Sequence, residues 1–455
     1  ENPGHITGWV TDHAGRLRLA TTTDGVNTGL LYRPSEKDTF RAVLTTNFKE
    51  TFAPLFFTFD NQNLYAASNL GRDKVAIVKY DIANGRELEV LYEHPQVDVE
   101  GMEYSKKRGV LTLISCVKER RERKFLDKET QELYEKLEKK LPKYDVNVVS
   151  RDRNEVVFVV RAKSDRTPGG YYLYERKGEK LAKLADLNPR LKEEELAEMK
   201  PVTYQSRDGL TIHGYLTLPK GKEAKNLPLV VHPHGGPWER TVWGFNPEVQ
   251  FLANRGYAVF QMNFRGSTGY GRKFWEISFK QWGRSMQDDV SDGVLWLIKQ
   301  GIADSKRVAI YGSSYGGYST LAGLAFSPEL YACGVDYVGI SNLFTILKTI
   351  PPYWKPYLEM LHEMLGHPEK DSALMAAASP VFHADNIQAP LLVAQGARDP
   401  RVNINESNQI VAALKSRGID VTYLVKENEG HGFENEENRF DFYEAMEKFL
   451  AEHLR

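Results

Sequence analysis

Hydrophobic and polar positions follow two different patterns along this chain, and the first gives way to the second near residue 200. Before that point, short runs of β-branched and aromatic residues alternate with turn signals, for example at residues 55–59, 75–80 and 156–160. Such runs are typical of antiparallel strands, and repeats of about 40–50 residues are typical of β-propeller blades. The pattern predicts an all-β, propeller-like domain at residues 1–197, with about four blades at 1–38, 39–95, 96–142 and 143–195.

One segment of this first region does not have the strand pattern. Within residues 118–141, Leu126, Tyr134, Leu137 and Leu141 fall at helical spacing, and charged residues occupy most positions between them. The spacing predicts an amphipathic helix inserted into a blade. A patch that binds a partner or nucleic acid is the alternative, and the balance of acidic and basic residues favours the helix.

Beyond residue 200, strands alternate with helices, as in a mostly parallel sheet with helices on both faces. Predicted helices include residues 288–300 and 439–453. Residues 198–455 are therefore expected to form an α/β domain. Its predicted strands lie at residues 229–232, 258–263, 308–311, 334–338, 391–395 and 422–425.

Length and composition agree with two domains and exclude several kinds of partner. A chain of 455 residues with 41% hydrophobic residues is too long for one domain and can build sizeable cores. A net charge of −1 gives no electrostatic basis for binding nucleic acid or an anionic membrane. No apolar run approaches the roughly 18–20 residues that span a bilayer. The two cysteines, Cys116 and Cys333, fall in different predicted domains, so no disulfide is expected.

The compartment stays open at this level. The chain starts at Glu1 without a methionine, which indicates either a processed leader or the loss of an N-terminal part. The protein is cytoplasmic or, if a leader was removed, periplasmic or secreted.

A glycine-rich turn at residues 312–316 is the strongest chemical signal in the second domain. Its sequence is Gly-Ser-Ser-Tyr-Gly, and it lies between the apolar run 308–311 and a stretch with helical character. A strand, a Gly-x-Ser-x-Gly turn and a helix form the nucleophile elbow of α/β-hydrolases, in which the glycines let the two elements cross closely. Ser314 is the predicted nucleophile, and a plain surface turn is the alternative.

A serine nucleophile needs a base and a group that orients this base. Asp399 and His431 each come just after a predicted strand, where open α/β sheets place their sites. Their order after Ser314 is that of the α/β-hydrolase triad. We predict His431 as general base and then acid and Asp399 as the residue that orients it, with Asp336, one strand earlier, as the rival for the acidic role.

A third element is predicted at Pro233-His-Gly-Gly-Pro237, directly after the strand 229–232. Loops of the His-Gly-Gly type supply one backbone N–H group to an oxyanion hole, and the residue after the nucleophile supplies the second. The candidate donors are the N–H groups of Gly236 and Tyr315. A simple glycine-rich turn is the alternative.

Five motifs in this order resemble those of the prolyl oligopeptidase family, and more narrowly its acylaminoacyl-peptidase branch. They are His234-Gly-Gly-Pro237, Asn263-Phe-Arg-Gly-Ser-Thr-Gly-Tyr270, Gly312-Ser-Ser-Tyr-Gly-Gly-Tyr318, Gly396-Ala-Arg-Asp399 and Glu429-Gly-His-Gly-Phe433. The resemblance implies a serine peptidase that acts on short peptides, in which a β-propeller caps an α/β-hydrolase domain and no cofactor takes part. It also implies Ser314, Asp399 and His431 as the triad and Gly236 and Tyr315 as oxyanion donors, and it is compatible with a homo-oligomer.

The number of blades departs from this family, because its members carry more than four. The resemblance therefore implies one of two situations. Either the chain is the C-terminal part of a longer protein, or its propeller is unusually small or open. A closed propeller tunnel that filters substrates by size is accordingly not inferred.

Side chains near these motifs are candidates for substrate binding. Arg265 follows a predicted strand end, where it is a candidate clamp for a substrate carbonyl or carboxylate, and a structural ion pair is the equal alternative. Trp238, Phe344, Tyr353 and Trp354 are candidates for an apolar pocket that takes the residue before the scissile bond. Ordinary core packing is the alternative for these aromatic residues.

Three function classes are compatible with these residues. A serine peptidase is favoured, but a carboxylesterase uses the same triad, because the acyl-transfer machinery does not itself distinguish an ester from an amide. A non-catalytic propeller scaffold is disfavoured by the complete triad. Among peptidases, a dipeptidyl peptidase needs acidic groups for the substrate amine, and Glu100 and Glu103 are candidates. No metal site is predicted, because the histidines lack ligand spacing.

Overall fold

The chain folds into two compact units. The computed structural model describes residues 5–454. The first unit ends at Glu194 and also includes Gly269–Lys273, whereas the second contains Glu195–Thr268 and resumes at Phe274. The division lies close to the boundary predicted after residue 197. The sequence pattern did not predict that a short later segment returns to the first unit.

Polar contacts within the first unit hold the returning segment, Gly269–Lys273. The N–H group of Gly271 donates to Asp98 Oδ2 at 3.1 Å. The ammonium group of Lys74 donates to the carbonyl oxygen of Tyr270 at 2.6 Å. The backbone of the segment is thus bonded to side chains that lie almost two hundred residues earlier.

From residue 5 onward, the first unit contains four antiparallel sheets, and each is built from strands that are consecutive in the chain. The first contains β1 (Ile6–Thr11), β2 (Leu17–Thr23), β3 (Asn27–Tyr32) and β4 (Arg41–Asn47). The second contains β5 (Phe52–Phe57), β6 (Leu64–Ser68), β7 (Ala76–Asp81) and β8 (Arg86–Tyr92). The third contains β9 (Val99–Ser105), β10 (Val110–Val117) and β11 (Arg121–Phe125), and the fourth β12 (Asp145–Arg151), β13 (Val157–Lys163), β14 (Gly170–Glu175) and β15 (Lys180–Asp186). The all-β character predicted for this region is confirmed.

Alternation of side chains explains why these segments form strands. In β13, Phe158, Val160 and Ala162 are buried, and the residues between them are half-buried. Successive side chains of a strand point to opposite faces, so every second residue joins the core. Val146 and Val148 of the neighbouring strand β12 belong to the same buried cluster.

The break predicted between the first two blades, at residue 38, falls inside the first sheet. β4 pairs antiparallel with β3, and Leu44 lies opposite Leu30. The polar residues 35–38 resemble a boundary in the sequence, but they belong to the hairpin connection between these two strands. The first sheet therefore extends past the boundary predicted at residue 38 and includes β4.

The helix predicted at residues 118–141 is shorter than expected. Its first part is β11, which pairs with β10 at the edge of the third sheet. Charged side chains suit an edge strand, because they discourage pairing with another chain. The helix α1 (Lys128–Lys140) begins only after Asp127, whose side chain accepts a hydrogen bond from the N–H group of Thr130.

Eight strands form a single sheet in the second unit, in the order β16-β17-β19-β18-β20-β21-β22-β23. From β19 to β23 in this order the strands run parallel, whereas β17 pairs antiparallel with both of its neighbours. The strands are β16 (Met199–Gln205), β17 (Thr211–Thr217), β18 (Leu227–Val231), β19 (Ala258–Asn263), β20 (Ala303–Ser313), β21 (Cys333–Tyr337), β22 (Leu391–Gly396) and β23 (Val421–Lys426).

Helices cover both faces of this sheet. The helices that the structure describes after residue 198 are α2 (Pro247–Asn254), α3 (Arg272–Glu276), α4 (Ser285–Lys299), α5 (Tyr315–Phe326), α6 (Leu343–Lys348), α7 (Leu358–Leu365), α8 (Ser372–Ala377), α9 (Asn405–Lys415) and α10 (Glu436–His453). Val259 of β19 shares a core with Leu252 of α2 and Phe442 of α10. The next residue, Phe260, contacts Trp296 of α4 on the opposite face. The predicted α/β architecture is confirmed.

The connection between β21 and β22 is the least regular part of this unit. It contains the short helices α6, α7 and α8 and two 3₁₀ segments, Pro352–Tyr357 and Pro380–Asn386. Across residues 5–454, no helix is both long enough and apolar enough to cross a membrane.

Truncating Leu137 to alanine is expected to destabilise the first unit. The side chain is fully buried on α1, in a core with Leu133 and Tyr134. Removing a buried leucine side chain costs about 2–5 kcal/mol, and chemical denaturation measures this change. Glu138→Ala on the exposed face of α1 is the matched control, with an expected change within about 0.5 kcal/mol. Equal effects of the two substitutions contradict the burial of Leu137.

Candidate active site

The turn between β20 and α5 holds Ser314 in a strained backbone conformation. Ser314 has φ 58° and ψ −117°, a combination that residues with a Cβ rarely adopt. A Cβ on Gly312 would lie 2.5 Å from the backbone of Gly316, and one on Gly316 would lie 2.4 Å from the carbonyl oxygen of Pro233. Glycine is therefore required at both positions for the strand and the helix to cross this closely.

Asp399, His431 and Ser314 form a hydrogen-bonded line. Asp399 follows β22 and His431 follows β23, and these strands are parallel neighbours. His431 Nδ1 lies 2.7 Å from Asp399 Oδ2, and His431 Nε2 lies 3.0 Å from Ser314 Oγ. Because a carboxylate can only accept, Nδ1 carries the proton, and Nε2 is left to accept from the Ser314 hydroxyl group.

Glu429 holds the loop that carries His431 in place through hydrogen bonds. Its Oε1 accepts hydrogen bonds from Asn435 N–H at 2.9 Å and from Asn438 Nδ2 at 2.7 Å, and its Oε2 accepts from Glu434 N–H at 3.0 Å. Burial acts to raise the pKa of the Glu429 carboxyl group, but the hydrogen bonds outweigh burial and lower this pKa to about 2. The carboxylate is therefore ionised at neutral pH and keeps the loop in place.

Asp399 is held by the backbone that follows it. Its Oδ1 accepts hydrogen bonds from the N–H groups of Arg401 at 2.8 Å and Val402 at 2.9 Å. Gln395 Nε2 donates to Asp399 Oδ2 at 3.3 Å. These three donors fix the plane of the carboxylate and direct Oδ2 towards His431.

Asp336, the other candidate for the acidic role, is buried against the helix that carries the nucleophile. It lies on β21 and is fully buried, and a Cβ on Gly317 in the first turn of α5 would come within 2.4 Å of its Oδ1. Burial raises the pKa of Asp336 to about 7, and the nearby charge of Glu406 acts in the same direction. The carboxyl group bonded to His431 is that of Asp399.

The loop after β18 brings Gly236 to the nucleophile. Gly236 has φ +116°, and a Cβ there would lie 2.8 Å from the backbone nitrogen of Trp238, so glycine is required. Gly236 and Ser314 line one cavity. Tyr315 is the first residue of α5, where a backbone N–H group has no acceptor within the helix. Both predicted oxyanion donors thus lie on backbone that adjoins Ser314.

An apolar cavity of about 330 Å³ opens beside the nucleophile. Trp238 and Trp354, two of the four aromatic residues predicted for a pocket, line it. The other two lie outside its lining. Phe344 packs against Phe382, with ring centroids 6.2 Å apart, and Tyr353 is 55% exposed. The pocket prediction is therefore retained for two residues and corrected for two.

Trp282 and Arg401 are two of the lining residues that the sequence analysis did not predict. Trp282 packs edge-on against Tyr315, with ring centroids 4.6 Å apart, and no motif in the sequence marks it. Arg401 follows Asp399 by two residues, and this closeness in the sequence could have indicated that Arg401 lies at the site. Among the described residues that line the cavity, Arg401 has the one charged side chain.

Arg265 is engaged in two ion pairs, of which the one with Asp289 is buried. Its Nε donates to Asp289 Oδ2 at 2.9 Å and its Nη2 to Asp289 Oδ1 at 2.7 Å. Its Nη1 lies 2.8 Å from Asp208 Oδ2. Arg265 is 6% exposed, and the two carboxylates take up its donors. The structure therefore agrees with the interpretation of Arg265 as part of a structural ion pair. The alternative interpretation, a clamp for a substrate carbonyl or carboxylate, is set aside.

The acidic candidates for an amine site are paired with arginines of the first unit. Arg121 Nη1 donates to Glu100 Oε2 at 3.0 Å. Arg151 Nη2 donates to Glu103 Oε2 at 3.2 Å. Each carboxylate is therefore already matched by a cation within its own unit.

His94, Cys116 and Glu122 of the first unit bring metal-ligand atoms within 4.8 Å of one another. His94 Nδ1 accepts hydrogen bonds from the N–H groups of Gln96 and Val97, both at 3.2 Å. A neutral imidazole whose Nδ1 accepts carries its proton on Nε2, the nitrogen that faces Glu122 at 3.6 Å. A metal ligand needs a free lone pair there, so this tautomer does not suit a metal ion.

Replacing Asp336 by asparagine is expected to stabilise the protein at alkaline pH but not at acid pH. The folded-state pKa of about 7 lies above the ordinary value of 3.8, so ionisation of the buried carboxyl group costs free energy. The free-energy cost of ionising Asp336 in the folded protein is absent below pH 3.8, grows between pH 3.8 and about 7, and is complete above pH 7. A neutral amide avoids it, with an expected gain of about 1–4 kcal/mol at pH 9.

Denaturant unfolding at pH 4, 7 and 9 measures this effect. Asp420→Asn, at an exposed carboxyl group, is the control and is expected to leave the pH dependence unchanged. A gain for D336N that is equal at pH 4 and pH 9 contradicts the explanation.

Two family models match the chain. The model of the Prolyl oligopeptidase family matches residues 243–455, and a model described as Acetyl xylan esterase matches residues 174–289. The first match includes Ser314, Asp399 and His431. The second ends before all three, so it carries no information on the hydrogen-bonded line.

Two curated relatives match nearly the whole chain. Dipeptidyl aminopeptidase BIII of Pseudoxanthomonas mexicana is 39% identical, over 100% of this chain and 67% of its own length. Dipeptidyl peptidase family member 6 of Caenorhabditis elegans is 32% identical, over 97% of this chain and 64% of its own length. The chain therefore spans about two thirds of the length of these relatives.

Solved structures share the fold. A Mycobacterium tuberculosis puromycin-hydrolyzing peptidase has a TM-score of 0.80 at 22% identity, over 99% of this chain and 70% of its own. The Pyrococcus horikoshii acylaminoacyl peptidase has a TM-score of 0.73 at 20% identity, over 98% of this chain and 70% of its own. The predicted combination of a propeller-like domain and an α/β-hydrolase domain is confirmed.

These comparisons also confirm the resemblance seen in the five motifs. The two curated relatives and the two solved structures are named as peptidases, and none is named as an esterase. Since one relative is 39% identical over the whole chain, this chain belongs to the prolyl oligopeptidase family of serine peptidases.

Proposed function

We propose that this chain hydrolyses short peptides through an acyl-enzyme formed on Ser314. The observation that carries the proposal is the hydrogen-bonded line from Asp399 through His431 to Ser314 Oγ. His431 Nε2 takes the proton of the Ser314 hydroxyl group as Oγ attacks the scissile carbonyl carbon. Asp399 holds the imidazole in the tautomer that can accept this proton, and it stabilises the imidazolium ion that results.

The negative charge of the tetrahedral intermediate falls on the former carbonyl oxygen. The backbone N–H groups of Gly236 and Tyr315 are the proposed donors to this oxygen, because both residues adjoin Ser314. A backbone N–H group donates whatever the side chain of its residue is. His431 then gives its proton to the leaving amine. In the second half of the reaction it activates a water molecule, which releases the acyl group from Ser314.

The cavity beside Ser314 is the proposed site for the side chain before the scissile bond. Its wall is almost entirely apolar and includes Trp238, Trp282 and Trp354. Burying a large apolar side chain there contributes about 1.5–3 kcal/mol relative to leaving it in water. A phenylalanine or leucine at this position is therefore expected to react faster than alanine.

The proposed mode of cleavage is the release of dipeptides from a free N-terminus. Two relatives that match almost the whole chain are named as a dipeptidyl aminopeptidase and a dipeptidyl peptidase family member. The chain spans about two thirds of these relatives, so their remaining third lies outside it. Substrates with free and acylated amines therefore need to be compared on the chain itself.

Ser314→Ala is expected to abolish peptide hydrolysis, with kcat reduced by about 10⁵-fold or more, because the nucleophile is removed. The measurement is kcat on a dipeptidyl anilide, together with labelling by a fluorophosphonate that reacts with activated serines. Ser305→Ala, at an exposed serine outside the site, is the control and is expected to keep both activity and labelling. Labelling that persists in S314A contradicts the assignment of the nucleophile.

Gly-Phe-anilide is expected to exceed Gly-Ala-anilide in kcat/KM by about 10- to 100-fold, the ratio that the buried side chain supplies. Acetyl-Gly-Phe-anilide is expected to react more slowly than the free-amine form. The reverse order contradicts the dipeptide-releasing mode and indicates blocked peptides as substrates. Turnover of a phenylalanine ester without turnover of any anilide contradicts the peptidase assignment but leaves the role of Ser314 intact.

A further inference from the structure

One continuous segment, residues 340–365, forms most of the apolar wall of the cavity. It leaves β21, contains α6 and α7, and ends at the last residue of α7. Little regular structure stiffens it, because α6 has six residues and α7 has eight. Something other than helix length must therefore fix the wall. Its side chains in the cavity lining include Ile340, Ile346, Leu347, Trp354, Met360 and Leu365.

A buried carboxylate on a different element binds the start of this wall. Glu406 lies in the first turn of α9 and is 1% exposed. Its Oε2 accepts hydrogen bonds from the N–H groups of Ser341 at 3.0 Å and Asn342 at 2.9 Å. Its Oε1 accepts a hydrogen bond from the hydroxyl group of Thr345. One side chain thus satisfies three donors within five residues of the wall.

A second set of hydrogen bonds surrounds this contact. Ser341 Oγ donates to the carbonyl oxygen of Glu406 at 2.6 Å. Gln409, one turn further along α9, receives a hydrogen bond from Asn342 Nδ2 at 3.0 Å and gives one to Thr345 Oγ1 at 3.1 Å. Both the backbone and the side chains at the start of the wall are therefore bound to the first turn of α9.

The same turn of α9 is tied to the loop of the catalytic acid candidate. Ser407 Oγ donates to Gln395 Oε1 at 3.0 Å. Gln395 Nε2 donates to the carbonyl oxygen of Val402 at 3.1 Å and to Asp399 Oδ2 at 3.3 Å. Val402 itself lines the cavity. The first turn of α9, through Glu406 and Ser407, therefore joins the wall of the cavity to the loop of Asp399.

We propose that Glu406 is a positioning residue that fixes the wall of the cavity and thereby sets the preference for a large apolar residue before the scissile bond. This inference rests on the function proposed above. Glu406 does not line the cavity in the described structure, so it acts through residues 341–345. Its effect is expected on the choice between substrates and not on the chemistry at Ser314.

The physical basis is the cost of buried donors without acceptors. Alanine at position 406 leaves the buried N–H groups of Ser341 and Asn342 without their acceptor, which is unfavourable, and it removes the hydrogen bond that the Thr345 hydroxyl group donates to Glu406. The start of the wall then shifts to reach water, and the cavity loses its shape. Glutamine keeps one carbonyl oxygen for the two N–H groups, and the Thr345 hydroxyl group can turn to accept from the amide.

Glu406→Ala is expected to lower the ratio of kcat/KM for Gly-Phe-anilide to that for Gly-Ala-anilide by about 10-fold, mainly through a higher KM for the phenylalanine substrate. The value of kcat/KM for the alanine substrate and the rate of fluorophosphonate labelling of Ser314 are expected to stay within about threefold of the unmodified protein. Glu406→Gln is expected to restore the ratio. Asn405→Ala, at the exposed neighbour, is the matched control.

An unchanged ratio in E406A overturns the proposal, and so does an equal loss for both substrates, because a purely structural role predicts the latter. If E406A does not fold, Thr345→Val decides, since it removes the hydrogen bonds of the Thr345 hydroxyl group with Glu406, Gln409 and the carbonyl oxygen of Asn342 and keeps the shape of the side chain. For T345V, the ratio of kcat/KM for Gly-Phe-anilide to that for Gly-Ala-anilide is expected to fall about threefold. An unchanged ratio overturns the proposal. Failure of the unmodified protein to label at Ser314 is a separate result that counts against the proposed function.

Discussion

The close crossing of β20 and α5 is the constraint on which the rest of the site depends. The backbone of Gly312 touches that of Gly316, and Gly316 in turn touches the backbone of Pro233 in the loop after β18. No residue with a Cβ fits at either glycine, so three elements meet through main chain alone. This contact holds Ser314 in its strained conformation and brings the loop of Gly236 beside it. The strain is tolerated because the buried sheet and helix determine the backbone on both sides of the turn.

The order of the parallel strands decides which side chains reach Ser314. β20, β21, β22 and β23 are successive neighbours, so the loops at their carboxyl ends gather along one edge of the sheet. The loops of Asp399 and His431 are in direct contact there, because a Cβ on Gly396 would lie 2.2 Å from the carbonyl oxygen of Gly430. Buried carboxylates then fix these loops, as Glu429 does for the loop of His431. The placement of Ser314, Asp399 and His431 thus comes from polar contacts added to apolar packing of the sheet and its helices.

Ser314, Asp399 and His431 could be located in the sequence because each is marked by a local rule, a glycine-flanked turn or the end of an apolar strand. The partner of Arg265 could not be located, because a guanidinium group suits a substrate and a buried carboxylate equally well. The wall of the cavity was equally hard to predict, since a segment of short helices has no periodicity to show which aromatic side chain faces inward. In the first unit, alternation revealed the strands, but the charged edge strand β11 lacks a buried apolar face and was taken for part of a helix.

The return of Gly269–Lys273 to the first unit has a consequence for how this polypeptide can be divided. The chain passes between the two units at three points, after Glu194, after Thr268 and after Lys273. Dividing the chain only after Glu194 does not divide it into the two units, because Gly269–Lys273 of the first unit stays on the C-terminal fragment. One fragment then lacks the segment that Asp98 and Lys74 bind, and the other carries it as an unsupported loop. Exchange of sequence at a single junction therefore transfers neither unit intact.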